Sequence, residues 1–242
     1  MTKLTLARRI AFLLFSPLSI SLDSDTVAQQ RHAPSSGRLA VVVDERLSAL
    51  RDAPDLSANL IRRLGRGRVV GIRAQRPTRD GIVFYRVSVT KRTQGWIQRE
   101  ALASPSIRGD DERLLFLIRA SKDFDRIARA KIFLDLFRRS VWRPAVLLIY
   151  AESAEAAATR LTRDATRRVN EVVSSGNFSF TRATEFSYFM NYSGLDRYNR
   201  VGVRFLFDVE SKKFRYEGAA FRELVRRYPR SVEAGVARER VQ

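Results

Sequence analysis

Few side chains in these 242 residues could perform covalent chemistry. Cysteine is absent, so no Cys-His arrangement can form, and a single histidine cannot build a multi-His metal site. That histidine, His32, lies in a predicted linker near Pro34, so we expect a solvated loop residue and no Ser-His-Asp arrangement. Glu152 and Glu155 stand one helical turn apart. They fit the solvated face of a helix better than paired acid–base catalysis. We therefore expect a protein that is not an enzyme and that uses no cofactor and no metal.

Side chains suited to binding are more plentiful. Aromatic rings can stack on sugars or peptides, and arginines can pair with carboxylates. The candidate ligand-binding residues are two aromatics and four nearby arginines, namely Tyr85, Trp96, Arg66, Arg68, Arg76 and Arg79. Simpler interpretations stay open: the aromatics could pack in a core, and the arginines could be solvated charges at strand edges. Phe84 and Tyr85 are adjacent in one predicted strand, so we expect one of them buried and the other nearer solvent.

The net charge of +19 favours anionic partners in general, including nucleic acid. The N-terminus indicates export from the cytoplasm, where nucleic acid would be the partner. Residues 1–28 combine Lys3, Arg8 and Arg9 with an apolar run from Ile10 to Leu22, which is typical of a signal peptide and too short for a membrane span. We expect a periplasmic or secreted protein without a membrane span. A basic nucleic-acid-binding protein is the alternative, and the export signal argues against it.

Residues 39–104 carry short β-branched runs separated by glycine and proline, which predict a small β-barrel or sandwich. Residues 29–38 before it have the composition of a linker, and residues 103–109 form a second one. Four segments of this region carry a recognisable pattern, namely Leu50-Arg51-Asp52-Ala53-Pro54, Leu64-x-x-Gly67-x-x-Val70, Tyr85-Arg86-Val87 and Gly95-Trp96-Ile97. In this order they resemble a bacterial SH3-like (SH3b) domain. The resemblance implies a binding module, with Trp96 partly in the core and partly in a groove wall.

From Asp110 onward the hydrophobic period changes from two to three and four, which predicts an α-helical domain over residues 110–242. Expected helices start at Asp110, span about 124–140, run from Pro144 to about 173, and form a last pair in which Pro229 ends one helix and Ser231 caps the next. The aromatic-rich residues 177–216 are predicted as one or two short helices followed by a turn near 210–213.

The end of the chain resembles tetratricopeptide-type (TPR) repeats of bacterial envelope proteins. The matching residues are Phe221, Leu224, Tyr228-Pro229, Ser231, Ala234 and Ala237, and a degenerate copy is suggested by Phe133 and Leu136. Such repeats commonly hold a protein partner in a concave surface, whereas an ordinary helical bundle would have no groove. The expected fold is therefore multidomain β + α, a small SH3-like β-barrel followed by an all-α, TPR-like domain. The expected function is that of an exported scaffold, with the barrel contacting cell wall or peptide and the helices holding an unknown envelope protein.

Overall fold

The computed structural model describes residues 38–176, 182–191 and 193–241. The predicted export signal (1–28), the predicted linker except Arg38, and His32 lie outside these residues. Within them an antiparallel sheet of seven strands is followed by a mainly helical region. The sheet strands are β1 (Arg38–Val42), β2 (Ala49–Arg51), β3 (Leu60–Arg63), β4 (Val69–Pro77), β5 (Val83–Ser88), β6 (Gln94–Gln98) and β7 (Leu102–Ala103). The later elements are α1 (Asp110–Ala120), α2 (Asp123–Leu136), α3 (Arg143–Ser174), α4 (Arg182–Met190), α5 (Ser193–Arg200), β8 (Phe205–Asp208), β9 (Lys213–Tyr216), α6 (Ala219–Arg227) and α7 (Val232–Val241).

The strands are ordered β3-β2-β6-β5-β4-β1-β7, each antiparallel to its neighbours. One face of the sheet encloses a hydrophobic core whose members include Ala40, Val42, Leu50, Val70, Ile72, Tyr85, Val87, Ile97 and Leu102. Gly95 is required where β6 meets β2. A Cβ at this position would lie 2.7 Å from the Arg51 carbonyl oxygen and 2.8 Å from the Leu50 side chain. The close strand contact therefore explains the glycine that precedes Trp96.

The helices build a second hydrophobic core around α3. This helix buries an alanine-rich stripe that includes Ala151, Ala154, Ala158 and Ala165. Small side chains allow close approach, and α2, α6 and β9 all pack on α3. The helices predicted from Asp110 and over 144–173 are confirmed. At the start of α7, the Ala234 backbone N–H donates to Ser231 Oγ at 3.1 Å, which confirms the predicted N-cap.

The expectation of an all-α region is wrong after α5, because the chain there forms the β8–β9 hairpin. Asp208 Oδ1 accepts hydrogen bonds from the backbone N–H groups of Glu210 and Ser211, both at 3.0 Å, and this side-chain cap shapes the turn. The Phe214 backbone N–H donates to Thr162 Oγ1 on α3 at 2.8 Å. The hairpin is thus fixed to the central helix, while the predicted short helices appear before it as α4 and α5.

The sheet and the helices pack directly against each other and are not joined by a linker alone. Val41, Val43 and Ala103 lie at the β1–β7 edge and belong to the hydrophobic cluster of the helices. Beside them, the Ser104 backbone N–H donates to Oδ2 of the buried Asp110, the first residue of α1, at 2.9 Å. The predicted second linker, residues 103–109, therefore begins inside the junction between the two parts.

Candidate functional site

The two candidate aromatic residues do not share a surface. Tyr85 is 3% exposed, pairs with Ile97 across β5 and β6, and packs in the core of the sheet. The structure therefore places Tyr85 in the core, as the simpler interpretation of this aromatic had it. Phe84 is buried as well, so the expectation that one of this pair lies near solvent is wrong. Trp96 alternates with Ile97 and projects from the opposite face, where it is half-buried and outside both hydrophobic clusters.

Trp96 occupies the middle of a row of outward-facing side chains. The strand register pairs it with Arg86 on β5 and with Arg51 on β2. Directly paired residues project from the same face with Cβ atoms about 5 Å apart. Arg86 is exposed and makes no ion pair with another described residue. Arg51 is half-buried and donates from one terminal nitrogen to the Ala58 carbonyl at 2.6 Å. We call Arg51, Trp96 and Arg86 the Trp96 row.

One of the four predicted arginines lies beside this row. Arg76 is exposed and pairs with Phe84, two positions along β5 from Arg86, so it projects from the same face of the sheet. Arg79 is exposed in the turn between β4 and β5, and Arg68 is exposed before the start of β4. The predicted arginines therefore do not form a single cluster.

Arg66 belongs to the junction between sheet and helices. Its side chain is 14% exposed, and a terminal nitrogen lies 2.9 Å from Asp125 Oδ1 on α2. Its backbone N–H donates to Glu45 Oε1 at 2.7 Å, and its Nε is buried without a hydrogen-bond partner. The Arg66 guanidinium is thus largely enclosed and paired with Asp125, so the structure places it away from the other predicted arginines.

Sequence reasoning missed the two arginines that flank Trp96. Arg51 and Arg86 both stand inside the motif segments quoted above, but neither was selected as a candidate. The alternation along β5 places Arg86 on the face opposite Tyr85, and this signal is visible in the sequence. The pairing of Arg51 with Trp96 depends on the register between β2 and β6, which no local pattern reveals.

The described residues also bear on the carboxylate pair, the metal site and the membrane span that the sequence raised. Glu155 Oε2 lies 3.7 Å from a terminal nitrogen of Arg240 and Glu152 is exposed, as a solvated helix face would have them. Across residues 38–176, 182–191 and 193–241, no group of three or more His, Asp or Glu side chains is placed to hold a metal ion. The helices in these ranges are each too short or too polar to cross a bilayer.

Comparison of the chain with protein families, with curated proteins and with solved structures finds no match.

Proposed function

We propose that the chain is an exported, non-enzymatic binding and scaffold protein of the bacterial cell envelope. Its SH3-like module contacts the cell wall or a peptide through the Trp96 row, and its TPR-like helices hold a protein partner. The observation that carries the proposal is the outward-facing Trp96 between Arg86 and Arg51. An indole can stack on a sugar ring or a peptide group, while guanidinium groups form paired hydrogen bonds with carboxylates.

The surroundings of the row support this assignment. Strands β2, β4, β5 and β6 contain no acidic residue, so no strand neighbour neutralises Arg86 or the adjacent Arg76. The β1–β7 edge of the outer face packs against the helices, whereas Trp96 and Arg86 remain accessible. A ligand can therefore reach the row while the helices stay in place.

The test is co-sedimentation of the full chain with purified sacculi at low and at raised salt. We expect wild-type binding that persists in salt, and a Trp96→Ala variant whose affinity is about tenfold weaker, equivalent to about 1.4 kcal/mol of lost stacking. Arg86→Gln should weaken binding as well. The matched control is Arg92→Gln, which removes the same charge from an exposed position in the turn between β5 and β6.

Three results would count against the proposal. Wild-type binding that disappears at modest salt would show an attraction by net charge alone. Equal losses in Arg86→Gln and Arg92→Gln would lead to the same conclusion. Unchanged binding by Trp96→Ala would show that the row is not the contact surface.

A further inference from the structure

A cavity of about 420 Å³ lies between α2, α3, the β8–β9 hairpin and α6. Its apolar and aromatic lining includes Leu134, Leu147, Ala220, Tyr150 and Tyr216. Its charged lining comprises Lys131, Asp135, Arg143, Arg204, Glu217 and Glu223. This volume falls within the range of about 300–1,000 Å³ that is usual for small-molecule sites, and its lining combines charged side chains with apolar and aromatic ones.

One charged residue of the lining has no ion-pair partner among the described residues. Each carboxylate has a basic partner: Asp135 pairs with Lys131, Glu223 lies 2.9 Å from Arg143, and Glu217 lies 3.5 Å from Arg222. Arg204 forms no ion pair with another described residue, although its carbonyl accepts a hydrogen bond from the Glu217 backbone N–H at 3.2 Å. The Glu217 carboxylate is engaged with Arg222 instead. Arg204 is therefore the one charged lining residue that no described side chain pairs with.

Tyr150 brings a phenolic hydroxyl to the same cavity. The residue is 6% exposed, and its hydroxyl forms no hydrogen bond with a described residue. Tyr150 itself is part of the wall of the cavity. Burial, with smaller contributions from Tyr216, Asp135 and Glu217, raises the pKa of Tyr150, so the phenol keeps its proton and can donate.

Tyr216 supplies a second phenol. Its ring meets that of Tyr150 edge to face, with centroids 6.2 Å apart. Its oxygen accepts a hydrogen bond from the Ala220 backbone N–H at 3.1 Å, in the first turn of α6. The phenolic proton is not donated to any described residue. The cavity thus offers two O–H donors and one unpaired guanidinium, a set that suits an oxygen anion.

We propose that this cavity binds a small organic molecule with one carboxylate and an apolar part. Arg204 pairs with the carboxylate, the hydroxyls of Tyr150 and Tyr216 donate to it, and the apolar part lies against Leu134 and Leu147. A single anionic group is favoured because Arg204 is the one lining cation without an ion-pair partner among the described residues. The carboxylate could come from a free organic acid or from the C-terminus of a peptide, which present the same group. This inference does not depend on the Trp96 row.

The experiment is an NMR titration of the isotope-labelled full chain with four probes. Phenylacetate represents a free acid, N-acetylphenylalanine represents a peptide C-terminus, N-acetylphenylalanine amide lacks the carboxylate, and inorganic phosphate lacks the apolar part. We expect saturable shifts at residues lining the cavity with at least one of the two carboxylates, and tighter binding than with the amide or with phosphate. The carboxylate that binds more tightly shows whether the ligand is a free organic acid or the C-terminus of a peptide.

Variants test the assigned roles. Arg204→Gln should weaken carboxylate binding by about tenfold or more, as expected for a lost charged hydrogen bond. Tyr150→Phe should weaken it less while keeping the ring in place. Arg167→Gln is the matched control, an exposed arginine on α3 that does not line the cavity and forms no ion pair with a described residue.

Four outcomes would overturn the proposal. The first is the absence of a saturable shift at the cavity with either carboxylate, and the second is an amide that binds as well as the acid. Phosphate could bind as well as the carboxylates, which would indicate a general anion site. The fourth is an Arg204→Gln variant that binds like wild type while retaining the wild-type pattern of amide signals.

Discussion

Arg129 on α2 is the residue whose replacement tests most directly how the sheet and the helices hold together. It is 4% exposed. Its Nε donates to the Val43 carbonyl at 3.0 Å, and one terminal nitrogen donates to Ser121 Oγ at 2.6 Å. The other terminal nitrogen lies 3.4 Å from Asp44 Oδ2. A single guanidinium therefore joins α2 to the end of β1 and to the residue that follows α1.

The substitution Arg129→Met keeps an unbranched stem and removes all of these interactions. Removing one partner of a buried ion pair costs about 3–5 kcal/mol, and a lost hydrogen bond to a charged group costs about 1.5–3 kcal/mol. Asp44 keeps two hydrogen bonds from the Arg46 side chain, at 3.0 and 2.7 Å, so its carboxylate is not left without a partner. We therefore expect the lower end of this range, a loss of about 3 kcal/mol in the free energy of unfolding.

The assay is urea unfolding of the full chain with one probe for each part. Far-UV circular dichroism follows the helices, and the fluorescence of Trp96 in a Trp142→Phe background follows the sheet. With a urea m-value of about 2 kcal/mol/M, both midpoints should fall together by about 1.5 M. The control is Arg46→Met, which removes the exposed partner of the same Asp44 and should shift the midpoint much less. A shift for Arg129→Met no larger than that of the control would refute the argument.

Three further predictions concern the same junction. Hydrogen bonds from Arg46 hold the pKa of Asp44 below its usual range. The stabilisation that Asp44 gives the folded state is therefore complete above the pKa of about 3.9 in the unfolded chain, and it is lost as the pH falls through the pKa in the folded state. Thermal unfolding should therefore show Asp44→Asn less stable than wild type at neutral pH, with the difference shrinking below about pH 4. Asp110→Ala leaves the buried Ser104 N–H without its acceptor and should cost about 2 kcal/mol in urea unfolding. An isolated fragment of residues 38–104 should lack the cooperative transition of the full chain, because the apolar residues of its β1–β7 edge lose their cover; a sharp transition in the fragment would contradict this.

The helices were predictable where the hydrophobic period was long and uninterrupted. The boundaries of α3 follow from Pro144 and from an apolar stripe that continues from Val146 to Val169. The β8–β9 hairpin was missed although Phe205 and Phe207 alternate in the manner of a strand. Its turn lacks the Asn-Gly or Asp-Gly pair that usually marks a hairpin, because the Asp208 side chain satisfies the backbone of the turn instead.

The candidate site was predictable in its residue types but not in its geometry. Trp96 was identified from its Gly-Trp-Ile context, and only the register of β6 with its neighbours shows that it faces outward between two arginines. Arg66 resembled its neighbours in sequence, but its partner Asp125 stands 59 positions further along the chain. A contact over that separation requires the folded junction and leaves no local pattern.

The structure shows two kinds of arginine that the basic composition of the chain does not distinguish. Arg66, Arg129 and Arg143 are largely buried and paired with carboxylates, so they hold parts of the chain together and contribute little to the attraction of partners. Arg86 and Arg204 are exposed and have no ion-pair partner among the described residues. Arg86 pairs with Trp96 across β5 and β6, whereas Arg204 lines the cavity next to α3. Because the two proposed sites are separate, Arg86→Gln should leave carboxylate binding unchanged and Arg204→Gln should leave sacculus binding unchanged. If binding depended only on the net charge of +19, each substitution would weaken both kinds of binding together.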